Sequence, residues 1–473
     1  MITLSLAEIA EIVGGQPHDI PDPAVTVTGP VVIDSREVAP GSLFAAFAGE
    51  RVDGHDYAQR AVEAGAAAVL AARPVGVPAI VVDDVVGALG ALARAAVERL
   101  GTSVVALTGS AGKTSTKDLI AQLLQRHGPT VWTPGSLNNE IGLPLTALSA
   151  TAETEHLVLE MGARGIGHIR YLTELTPPRV GLVLNVGSAH LGEFGSREAI
   201  AQAKGEMVEG LPEDGCAVLN ADDPLVRAMA SRTKARVLLF GEAPEADVRG
   251  EKVRMTPDGR PAFELHTPTG CSDVTMRLYG EHHVSNALAA AAVAHELGMS
   301  VTEIADALSE AGTLSRWRME VTERGDGVTV VNDAYNANPE SMRAALRALA
   351  AMGQARGADG GRTWAVLGQM AELGDASLAE HDAVGRLAVR LNVSKLVAVG
   401  GTEASWLQLG AYNEGSWGEE SVHVSDAQAA VDLLRSELRP GDVVLVKASR
   451  SVGLEKVAQA LLENSTEGEV AGR

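Results

Sequence analysis

The segment Thr108-Gly-Ser-Ala-Gly-Lys-Thr-Ser-Thr116 constrains the fold of this chain more than any other. It follows a short apolar run at residues 103–107, which predicts a buried strand. Apolar residues then recur at helical spacing up to Gly128, which we expect to cap the helix. A turn of small residues between a strand and a helix directs free backbone N–H groups and the positive end of the helix dipole toward an anion. The segment therefore predicts a phosphate-binding loop.

The residue types in this loop suit such a role. Gly109 and Gly112 let the main chain approach a ligand closely, Lys113 supplies a positive charge, and Thr114 offers a hydroxyl to a metal ion. The strict spacing G-x-x-x-x-G-K-[ST] is not met, because Leu107 stands where the first glycine belongs. An ordinary glycine-rich turn is therefore the alternative interpretation.

Length and charge restrict the remaining possibilities. With 473 residues, of which 46% are apolar, the chain is long enough for two to four domains. Its formal net charge of −22 disfavours nonspecific binding to nucleic acid or to an anionic membrane. The two cysteines, Cys216 and Cys271, form neither a disulfide framework nor a zinc-binding pattern, which favours a reducing cytoplasm. We expect no signal peptide and no insertion into a membrane.

The order of apolar runs predicts three α/β domains. The first hundred residues mix short strand-like runs with alanine-rich helical stretches. After residue 101 strands and helices alternate, which predicts a central, doubly wound, mostly parallel sheet, with hairpins added at residues 245–280. A second alternating region follows residues 311–315 and predicts a Rossmann-like α/β sheet, although no G-x-G-x-x-G accompanies it. The predicted domains are residues 1–100, 101–313 and 314–473.

Several polar residues follow the strands predicted for the central domain. Glu160 comes directly after one strand and is suited to hold Mg²⁺, although a surface or capping glutamate is the alternative. His190 follows the next strand and could equally be a structural histidine, and Lys204 lies in a helical stretch where a solvated lysine is the usual interpretation. Asp222 and Asp223 are compatible with an ordinary turn.

Five segments of this central region, in their order and separation, resemble the Mur ligases, the ATP-dependent amide-forming enzymes of peptidoglycan precursor synthesis. They are residues 108–116, Leu159-Glu-Met-Gly162, residues 185–196, Ala203-Lys-Gly-Glu206 and Leu219-Asn-Ala-Asp-Asp223. Further segments resemble the rest of the family pattern, namely residues 280–286, Arg318-Met-Glu320 and Val446-Lys-Ala-Ser-Arg450. The resemblance covers nearly the whole chain.

Within the family, three regions resemble the member that adds the dipeptide D-alanyl-D-alanine to UDP-N-acetylmuramoyl-tripeptide. They are residues 333–339, the N-terminal segments at residues 34–36 and 49–55, and Leu137-Asn-Asn-Glu-Ile-Gly142. This resemblance implies a cytoplasmic, monomeric ligase that works through an acyl phosphate and releases ADP and phosphate. A sibling ligase that adds a single amino acid, or a folate polyglutamylating enzyme, is the alternative within the class. A noncatalytic nucleotide switch is the alternative outside it, although no guanine-reading N-K-x-D segment is present.

The resemblance also implies roles for individual residues. ATP would be bound by Thr108, Gly109, Ser110, Ala111, Gly112, Lys113, Thr114, Ser115, Asn286, Arg318, Asp333, Tyr335 and Asn336. The catalytic residues would be Lys113, Glu160, His190 and Lys204. Two Mg²⁺ ions are implied, one held by Thr114 and Glu160 and the other by Glu160, His190 and Lys204, with Lys204 carbamylated because an ammonium cannot ligate a metal. The UDP-linked substrate would be held by Ser35, Arg36, Asn138 and Asn139.

The family pattern extends into the third predicted domain, where one position departs from it. Lys447, Ser449 and Arg450 are weaker candidates for the face between domains, without an assigned role. Trp317 precedes Arg318 at a position where the family usually has glycine, which weakens the assignment of Arg318.

Overall fold

The first hundred residues form a small five-stranded sheet. The computed structural model describes residues 1–49, 52–187, 191–356 and 361–463. The elements of this first region are β1 (Leu4–Ser5), α1 (Leu6–Val13), β2 (Gln16–His18), β3 (Thr26–Val27), β4 (Val31–Val32), β5 (Leu43–Ala46), α2 (Ala58–Glu63), β6 (Ala68–Ala71), β7 (Ala79–Val81) and α3 (Val85–Leu100). The strand order is β2-β7-β6-β5-β4, parallel except for β2, and β1 and β3 form a separate antiparallel pair.

The central region builds a nine-stranded sheet. Its elements are β8 (Ser103–Thr108), α4 (Lys113–Leu124), β9 (Thr130–Trp132), α5 (Gly142–Leu148), β10 (His156–Glu160), α6 (His168–Leu175), β11 (Val180–Val183), α7 (Leu191–Phe194), α8 (Arg197–Glu209), β12 (Cys216–Asn220), α9 (Pro224–Arg227), β13 (Arg236–Gly241), β14 (Val248–Met255), β15 (Pro261–Thr267), β16 (Gly270–Thr275), α10 (His282–Glu296) and α11 (Val301–Glu310). Strands β9-β10-β8-β11-β12-β13-β14 are parallel, and β15 and β16 continue the sheet as antiparallel hairpins. The predicted parallel sheet with added hairpins is confirmed.

The third region forms a six-stranded sheet. Its elements are β17 (Glu320–Glu323), β18 (Thr329–Asn332), α12 (Pro339–Ala355), β19 (Thr363–Leu367), α13 (Ser377–Arg390), β20 (Lys395–Val399), α14 (Thr402–Glu414), β21 (Ser421–Val424), α15 (Ala427–Glu437), β22 (Val443–Lys447) and α16 (Glu455–Glu463). The order is β17-β18-β22-β19-β20-β21, and every neighbouring pair is parallel except β17 with β18. Short 3₁₀ turns lie at Gly54–Tyr57, Ala228–Arg232, Gly374–Ala376 and Arg450–Val452.

The phosphate-loop strand β8 lies at the point where the order of the central sheet reverses. Its neighbours are β10 on one side and β11 on the other, with Glu160 opposite Leu107 and Val183 opposite Thr108. Ligands of open α/β sheets bind in the crevice outside the carboxyl ends of the strands at such a reversal. The fold therefore places the phosphate loop and Glu160 at the same edge of the sheet.

The helix after the phosphate loop is shorter than predicted. Helix α4 ends at Leu124, four residues before Gly128, so the expected glycine cap is wrong. The N–H groups of Arg126 and His127 donate to carbonyls three residues earlier, as in a 3₁₀ turn, so the α-helical hydrogen-bond pattern has ended there. The N–H of Gly128 still donates to the carbonyl of Leu124, at 2.8 Å.

Buried apolar residues form different cores on the different sheets. One continuous core joins α1 and α3 of the first region to α5, α6 and α8 on one face of the central sheet. Helices α4, α10 and α11 cover the opposite face. The third sheet has a core on each of its own faces. No helix in the described part of the chain is long and apolar enough to cross a bilayer.

Candidate active site

A cleft of about 870 Å³ opens at the carboxyl edge of the central sheet and extends to the third sheet. Most of the residues predicted for the site line it: Ser110, Ala111, Gly112, Lys113, Thr114, Ser115, Asn138, Asn139, Glu160, Lys204, Asn286, Arg318, Asp333, Tyr335 and Asn336. Thr108 and Gly109 lead directly into the same loop. His190 lies outside the described residues. The structure thus brings together residues that are separated by more than 200 positions in the sequence.

The backbone of the phosphate loop begins helix α4 without a side-chain cap. Gly112 occupies the N-cap position with φ = 80°, in the left-handed region. A Cβ atom at this position would lie 2.6 Å from Oδ1 of Asn286, so both the backbone conformation and the space require glycine. The first N–H groups of a helix have no partner within the helix. They are therefore free to bind an anion in the cleft.

Asn185, two residues after the end of β11, fixes the first half of the loop. Its Oδ1 accepts hydrogen bonds from the N–H groups of Ser110 and Ala111, at 3.0 and 2.9 Å, and its Nδ2 donates to the carbonyl of Ala111 at 3.1 Å. The hydroxyl of Ser110 accepts a hydrogen bond from the N–H of Gly187 at 2.9 Å. The loop is thus held in shape by the end of the adjacent strand.

Lys113 lies on the wall of the cleft with its ammonium bonded to the loop itself. Nζ donates to the carbonyl of Gly109 at 2.8 Å. Burial lowers the pKa of Lys113, while the nearby carboxylate of Glu160 opposes that change. A phosphate group in the cleft would supply the negative charge that this partly desolvated ammonium lacks.

Glu160 is a buried carboxylate held by two neutral donors. Its side chain is 1% exposed, Oε2 accepts from the hydroxyl of Thr114 at 2.9 Å, and Oε1 accepts from Nδ2 of Asn138 at 2.7 Å. Its backbone N–H donates to Oγ1 of Thr133 at 3.1 Å. A buried carboxylate beside a threonine hydroxyl is a set of oxygen ligands suited to Mg²⁺.

Lys204 is not a solvated lysine. It projects from α8 into the cleft and is 4% exposed. Burial, followed by repulsion from Lys113, lowers the pKa of Lys204 well below its ordinary value. Among the described residues its ammonium has no hydrogen-bond partner, which favours the neutral amine.

The third sheet contacts the phosphate loop through polar side chains. The hydroxyl of Tyr335 is hydrogen-bonded to that of Ser136, and its ring stacks on the guanidinium of Arg318 at 4.3 Å from the ring centroid. Arg318 also donates to Oγ1 of Thr114 at 3.2 Å. Asn338 caps helix α12 and donates from Nδ2 to the carbonyl of Ser110 at 3.3 Å. Residues of both sheets therefore surround the cleft.

A buried ion pair supports the loop that carries Tyr335. Nζ of Lys447 lies 2.6 Å from Oδ2 of Asp333 and donates to the carbonyl of Asn336 at 2.8 Å. Burial lowers the pKa of Lys447, and the carboxylate of Asp333 opposes that change. Ser449 accepts a hydrogen bond from the N–H of Ala371 at 2.9 Å. Asp333 thus holds the loop in place as well as lining the cleft.

The unusual tryptophan next to Arg318 has a defined place. Trp317 adopts φ = 60°, a left-handed conformation in which glycine is the least strained residue. Its ring stacks under the guanidinium of Arg450 at 4.3 Å, and Arg450 pairs with Glu455 at 2.7 Å. This packing offsets the backbone cost, and Arg318 still reaches Thr114.

Two histidines at the start of α10 were not among the predicted site residues. His282 lines the cleft, and burial lowers its pKa to about 4. His283 is buried beside it, with the two ring centroids 4.3 Å apart. On the same helix, Asn286 accepts a hydrogen bond from Thr116 at 3.2 Å, and its Nδ2 has no partner within the described part of the chain. Asn286 also lines the cleft.

Two of the predicted substrate residues do not line the cleft. Ser35 and Arg36 follow β4 in the first sheet, where Ser35 is buried and the side chain of Arg36 is 76% exposed. The guanidinium of Arg36 donates to Asp34 and holds the pKa of that carboxyl at about 2. The structure leaves the Arg36 side chain accessible to a ligand on the first sheet.

The sequence did not indicate several residues that shape the cleft. Asn338 and Lys117 are the clearest examples, because an Asn-Pro pair and a lysine in a helix are common surface features.

Asp223 caps α9 with Pro224 in the first turn and accepts a hydrogen bond from the N–H of Val186 at 2.8 Å. The turn interpretation of Asp223 is therefore correct.

Glu264, His266 and Cys271 come together on the hairpin of β15 and β16, with potential ligand atoms within 4.8 Å of one another. No cysteine–histidine pattern in the sequence indicated this group. Glu264 is already engaged by Nζ of Lys252 at 2.6 Å and by Nε2 of His266 at 2.6 Å. The carboxylate is therefore committed to existing partners.

Comparison with known proteins identifies related sequences along almost the entire chain. Three family models match: "Mur ligase family, catalytic domain" at residues 30–101, "Mur ligase middle domain" at residues 107–294, and "Mur ligase, glutamate ligase domain" at residues 317–450. The UDP-N-acetylmuramoyl-tripeptide–D-alanyl-D-alanine ligase of Mycobacterium tuberculosis is 52% identical, over 99% of this chain and 100% of that protein. The ligase of the same name from Escherichia coli is 37% identical, over 98% of this chain and 100% of that protein.

Solved structures agree in fold over the same length. A crystal structure of MurF from Acinetobacter baumannii matches with a TM-score of 0.86 and 32% identity, covering 98% of this chain and 99% of that one. The MurF ligase of Thermotoga maritima in complex with ADP matches with a TM-score of 0.80 and 32% identity, covering 93% of this chain and 99% of that one.

Proposed function

The chain belongs to the Mur ligase family, and from that premise we propose that it joins D-alanyl-D-alanine to UDP-N-acetylmuramoyl-tripeptide at the expense of ATP. The observation that carries this proposal is the full-length similarity, 52% identity over 99% of the chain, to a ligase named for that reaction. The cleft adds chemical support, because a phosphate loop, a buried carboxylate and several basic side chains converge there. The product is the pentapeptide precursor of peptidoglycan.

The reaction proceeds in two steps through an acyl phosphate. The terminal carboxylate of the tripeptide attacks the γ-phosphorus of ATP, and the bond to the β-phosphate oxygen breaks to release ADP. The amine of D-alanyl-D-alanine then attacks the acyl carbon and loses a proton as phosphate departs. Phosphorylation is needed because a free carboxylate would have to expel an oxide ion.

In this proposal, Lys113 and the loop backbone bind the β- and γ-phosphates. The free N–H groups at the start of α4 and the ammonium of Lys113 face the same cleft. Donors fixed before the reaction stabilise charge that develops on the transferred phosphoryl oxygens. Asn286, Arg318, Asp333, Tyr335 and Asn336 contact the rest of the nucleotide in this proposal.

Two Mg²⁺ ions are part of the proposed site. Thr114 and Glu160 would hold one of them, and Glu160, His190 and Lys204 the other. Bound Mg²⁺ neutralises phosphate oxygens and lowers the barrier to phosphoryl transfer. The fit is supported by the 2.9 Å contact between Thr114 and Glu160 and by the absence of a basic side chain bonded directly to that carboxylate among the described residues.

Carbamylation of Lys204 is part of this proposal. The amine nitrogen must be neutral to add to the carbon of CO₂, and it loses a proton as the carbamate forms. Burial of Lys204 next to Lys113 favours that neutral form. The resulting carboxylate-like group would give the cleft a metal ligand in place of a buried amine that has no hydrogen-bond partner among the described residues.

Each of the three predicted domains has its own proposed role. We assign residues 1–100 to binding of the UDP-linked precursor through Ser35 and Arg36, residues 101–313 to ATP, and residues 314–473 to closure over the nucleotide. Asn138 and Asn139 lie on the cleft wall, and we assign them to contact with the peptide stem. ATP and a UDP-linked precursor are cytoplasmic metabolites, so we propose that the protein acts in the cytoplasm, as a monomer.

A product assay that resolves masses tests the substrate assignment. Purified protein is incubated with ATP, Mg²⁺, UDP-N-acetylmuramoyl-tripeptide and an equimolar mixture of D-alanyl-D-alanine and single amino acids. The expected product carries only the dipeptide. A product that carries a single amino acid would identify the sibling activity, and nucleotide binding without phosphate release would favour a noncatalytic switch.

A chemical rescue tests the role of Lys204. Lys204→Ala removes the group that would carry the carbamate, so amide formation should be lost. Short-chain carboxylic acids should restore part of it, because they can place a carboxylate in the space left by the side chain. Full activity of the unrescued variant would contradict the carbamate proposal.

A further inference from the structure

Lys117 is a fully buried lysine one turn beyond the phosphate loop. The side chain is 0% exposed, and its ammonium donates to the carbonyls of Thr133 and Gly135, at 2.7 and 2.8 Å. Oδ1 of Asp118 lies 2.9 Å from the same nitrogen. A buried ammonium is tolerated only where oxygen atoms replace its hydration. Lys117 therefore fixes the chain at Thr133 and Gly135 relative to helix α4.

The segment held by Lys117 contributes one wall of the cleft. We call residues 133–140, between β9 and α5, the cleft loop. Its Asn138 donates to the carboxylate of Glu160 at 2.7 Å, and its Ser136 is hydrogen-bonded to Tyr335 of the third sheet. Thr133 at the start of the loop accepts the backbone N–H of Glu160. A displacement of the cleft loop would thus alter both the proposed metal carboxylate and the contact with the third sheet.

Asp118 holds a second segment against the same helix. Its Oδ2 accepts a hydrogen bond from the N–H of Ser315 at 3.0 Å. One turn later Gln122 exchanges two hydrogen bonds with the backbone of Gly312, at 2.9 and 3.0 Å. Gly312 and Ser315 lie in the connection between α11 and β17. The same connection contains Arg318, which donates a hydrogen bond to Thr114.

We propose that Lys117 and Asp118 are positioning residues of the ligase, which align the cleft loop and the connection to the third sheet with the phosphate loop. This inference rests on the proposed function. Lys117 acts by holding Asn138 where it orients Glu160 and by holding Ser136 where it meets Tyr335. Asp118 neutralises the buried ammonium and holds the segment before Arg318.

The contacts distinguish a positioning role from a purely electrostatic one. If Lys117 only neutralised Asp118, removal of both charges would leave the site intact. If it holds the cleft loop, the carbonyls of Thr133 and Gly135 lose their donor in any variant without the ammonium. The loop would then be free to shift, even where the folded protein is stable.

The test compares full-length variants by steady-state kinetics, ADP binding and thermal unfolding. Lys117→Met keeps the length of the side chain, and Lys117→Met/Asp118→Asn removes both charges. Lys395→Met is the matched control, because Lys395 is a largely buried lysine of the third sheet, paired with Glu437 at 3.1 Å. Each protein is assayed for kcat and for the Mg²⁺ concentration that gives half-maximal phosphate release.

We expect Lys117→Met to lower kcat by about 100-fold, because small misplacements of reacting groups have effects of that size. The Mg²⁺ requirement should rise about tenfold, since Glu160 loses its fixed orientation. ADP affinity should stay close to that of the unmodified protein. The double variant should recover thermal stability without recovering kcat, and Lys395→Met should change neither kcat nor the Mg²⁺ requirement.

Unchanged kcat and Mg²⁺ dependence in either Lys117 variant would overturn the inference, as would recovery of kcat in the double variant. If Lys117→Met does not fold, the double variant alone decides. Failure of the unmodified protein to release phosphate with the proposed substrates would instead contradict the proposed function.

Discussion

At the scale of single residues, the partners of Glu160 explain how the cleft can accept a divalent cation. A hydroxyl and a side-chain amide hold the carboxylate, so its negative charge is oriented without being neutralised by a bonded basic group in the described residues. This differs from Asp333, whose charge is taken up by Lys447. Of these two acidic residues in the same cleft, Glu160 keeps a negative charge that can attract a cation, and Asp333 forms an ion pair.

Replacing Glu160 by Gln should separate metal binding from folding. An amide keeps the size of the side chain and can still accept a hydrogen bond from Thr114, but it loses the charge that attracts Mg²⁺. We expect phosphate release to fall by about 100-fold while the melting temperature changes little. Assays across a range of Mg²⁺ concentrations measure the effect, with the exposed Glu174→Gln as control. Normal Mg²⁺ dependence of Glu160→Gln would exclude this carboxylate as a ligand.

The two cysteines should differ strongly in reactivity. Burial raises the pKa of Cys216 to about 12, whereas Cys271 is exposed on β16. One thiol should therefore react with a disulfide reagent at pH 8 in the folded protein, and two after denaturation. Because an unfolded thiol ionises near pH 9 and the folded one near 12, the stability contributed by Cys216 should fall as the pH rises through this interval. Rapid reaction of both thiols in the folded protein would contradict the burial of Cys216.

At the scale of helices and strands, the sequence predicted the strands that are buried on both faces. The apolar runs at residues 157–159, 217–219 and 443–446 end within one residue of the bounds of β10, β12 and β22, because a parallel strand covered by helices is almost continuously apolar. Strand β9 was not predicted, because its three residues after Pro129 are too few to show an alternation of apolar and polar residues. Strand β5 was missed as well, because Leu-Phe-Ala-Ala suits a helix equally well.

The candidate site was predictable to the extent that it follows strand ends. The phosphate loop and Glu160 were found because parallel strands end at a common edge. Lys117 was not, because a lysine one turn into a helix is usually solvated, and only the packing of the cleft loop over α4 buries it. The roles of Asn338 and Lys447 likewise depend on how the third sheet meets the central one.

The start of α4 offers a test of the phosphate loop as an element. Gly112→Ala adds a methyl group 2.6 Å from Oδ1 of Asn286 and forces alanine into a left-handed conformation. Gly101→Ala is a matched control, because its φ of 62° has a similar cost but its added Cβ contacts nothing within 4 Å. We expect both variants to lose about 1 kcal/mol of stability from the backbone.

Only Gly112→Ala should also weaken nucleotide binding, by roughly tenfold or more, because the loop N–H groups lose their alignment. Calorimetric titration with ADP measures the difference. Equal ADP affinity in the two variants would show that the geometry of the N-cap does not matter for the nucleotide.

At the scale of the whole molecule, the three sheets are joined in two different ways. The first region and the central sheet share one apolar core, whereas the described contacts of the third sheet with the cleft are largely hydrogen bonds and stacked side chains. Polar interfaces are typical of domains that move relative to each other. We therefore expect closure over the nucleotide to occur by movement of the third sheet.

Tyr335→Phe should weaken this closure without disturbing the fold. The variant loses the hydroxyl bonded to Ser136 but retains the ring that stacks on Arg318. We expect a lower kcat, a melting temperature close to that of the unmodified protein, and less compaction with a nonhydrolysable ATP analogue in small-angle X-ray scattering. Tyr412→Phe, at an exposed position on α14, is the control. Identical kcat and compaction in the two variants would exclude a role for the Tyr335 hydroxyl.

The apolar layer shared by α1, α3, α5 and α6 has a consequence for protein engineering. Chimeric enzymes that exchange the third sheet between relatives need to match an interface of hydrogen bonds and stacked side chains at the cleft, together with the packing of Tyr279 on the third core. Chimeras that exchange residues 1–100 must exchange the facing helices as well. A mismatched pair would expose apolar surface to water, and such surface promotes aggregation. Recombination breakpoints should therefore be tolerated after α11 far better than between α3 and β8.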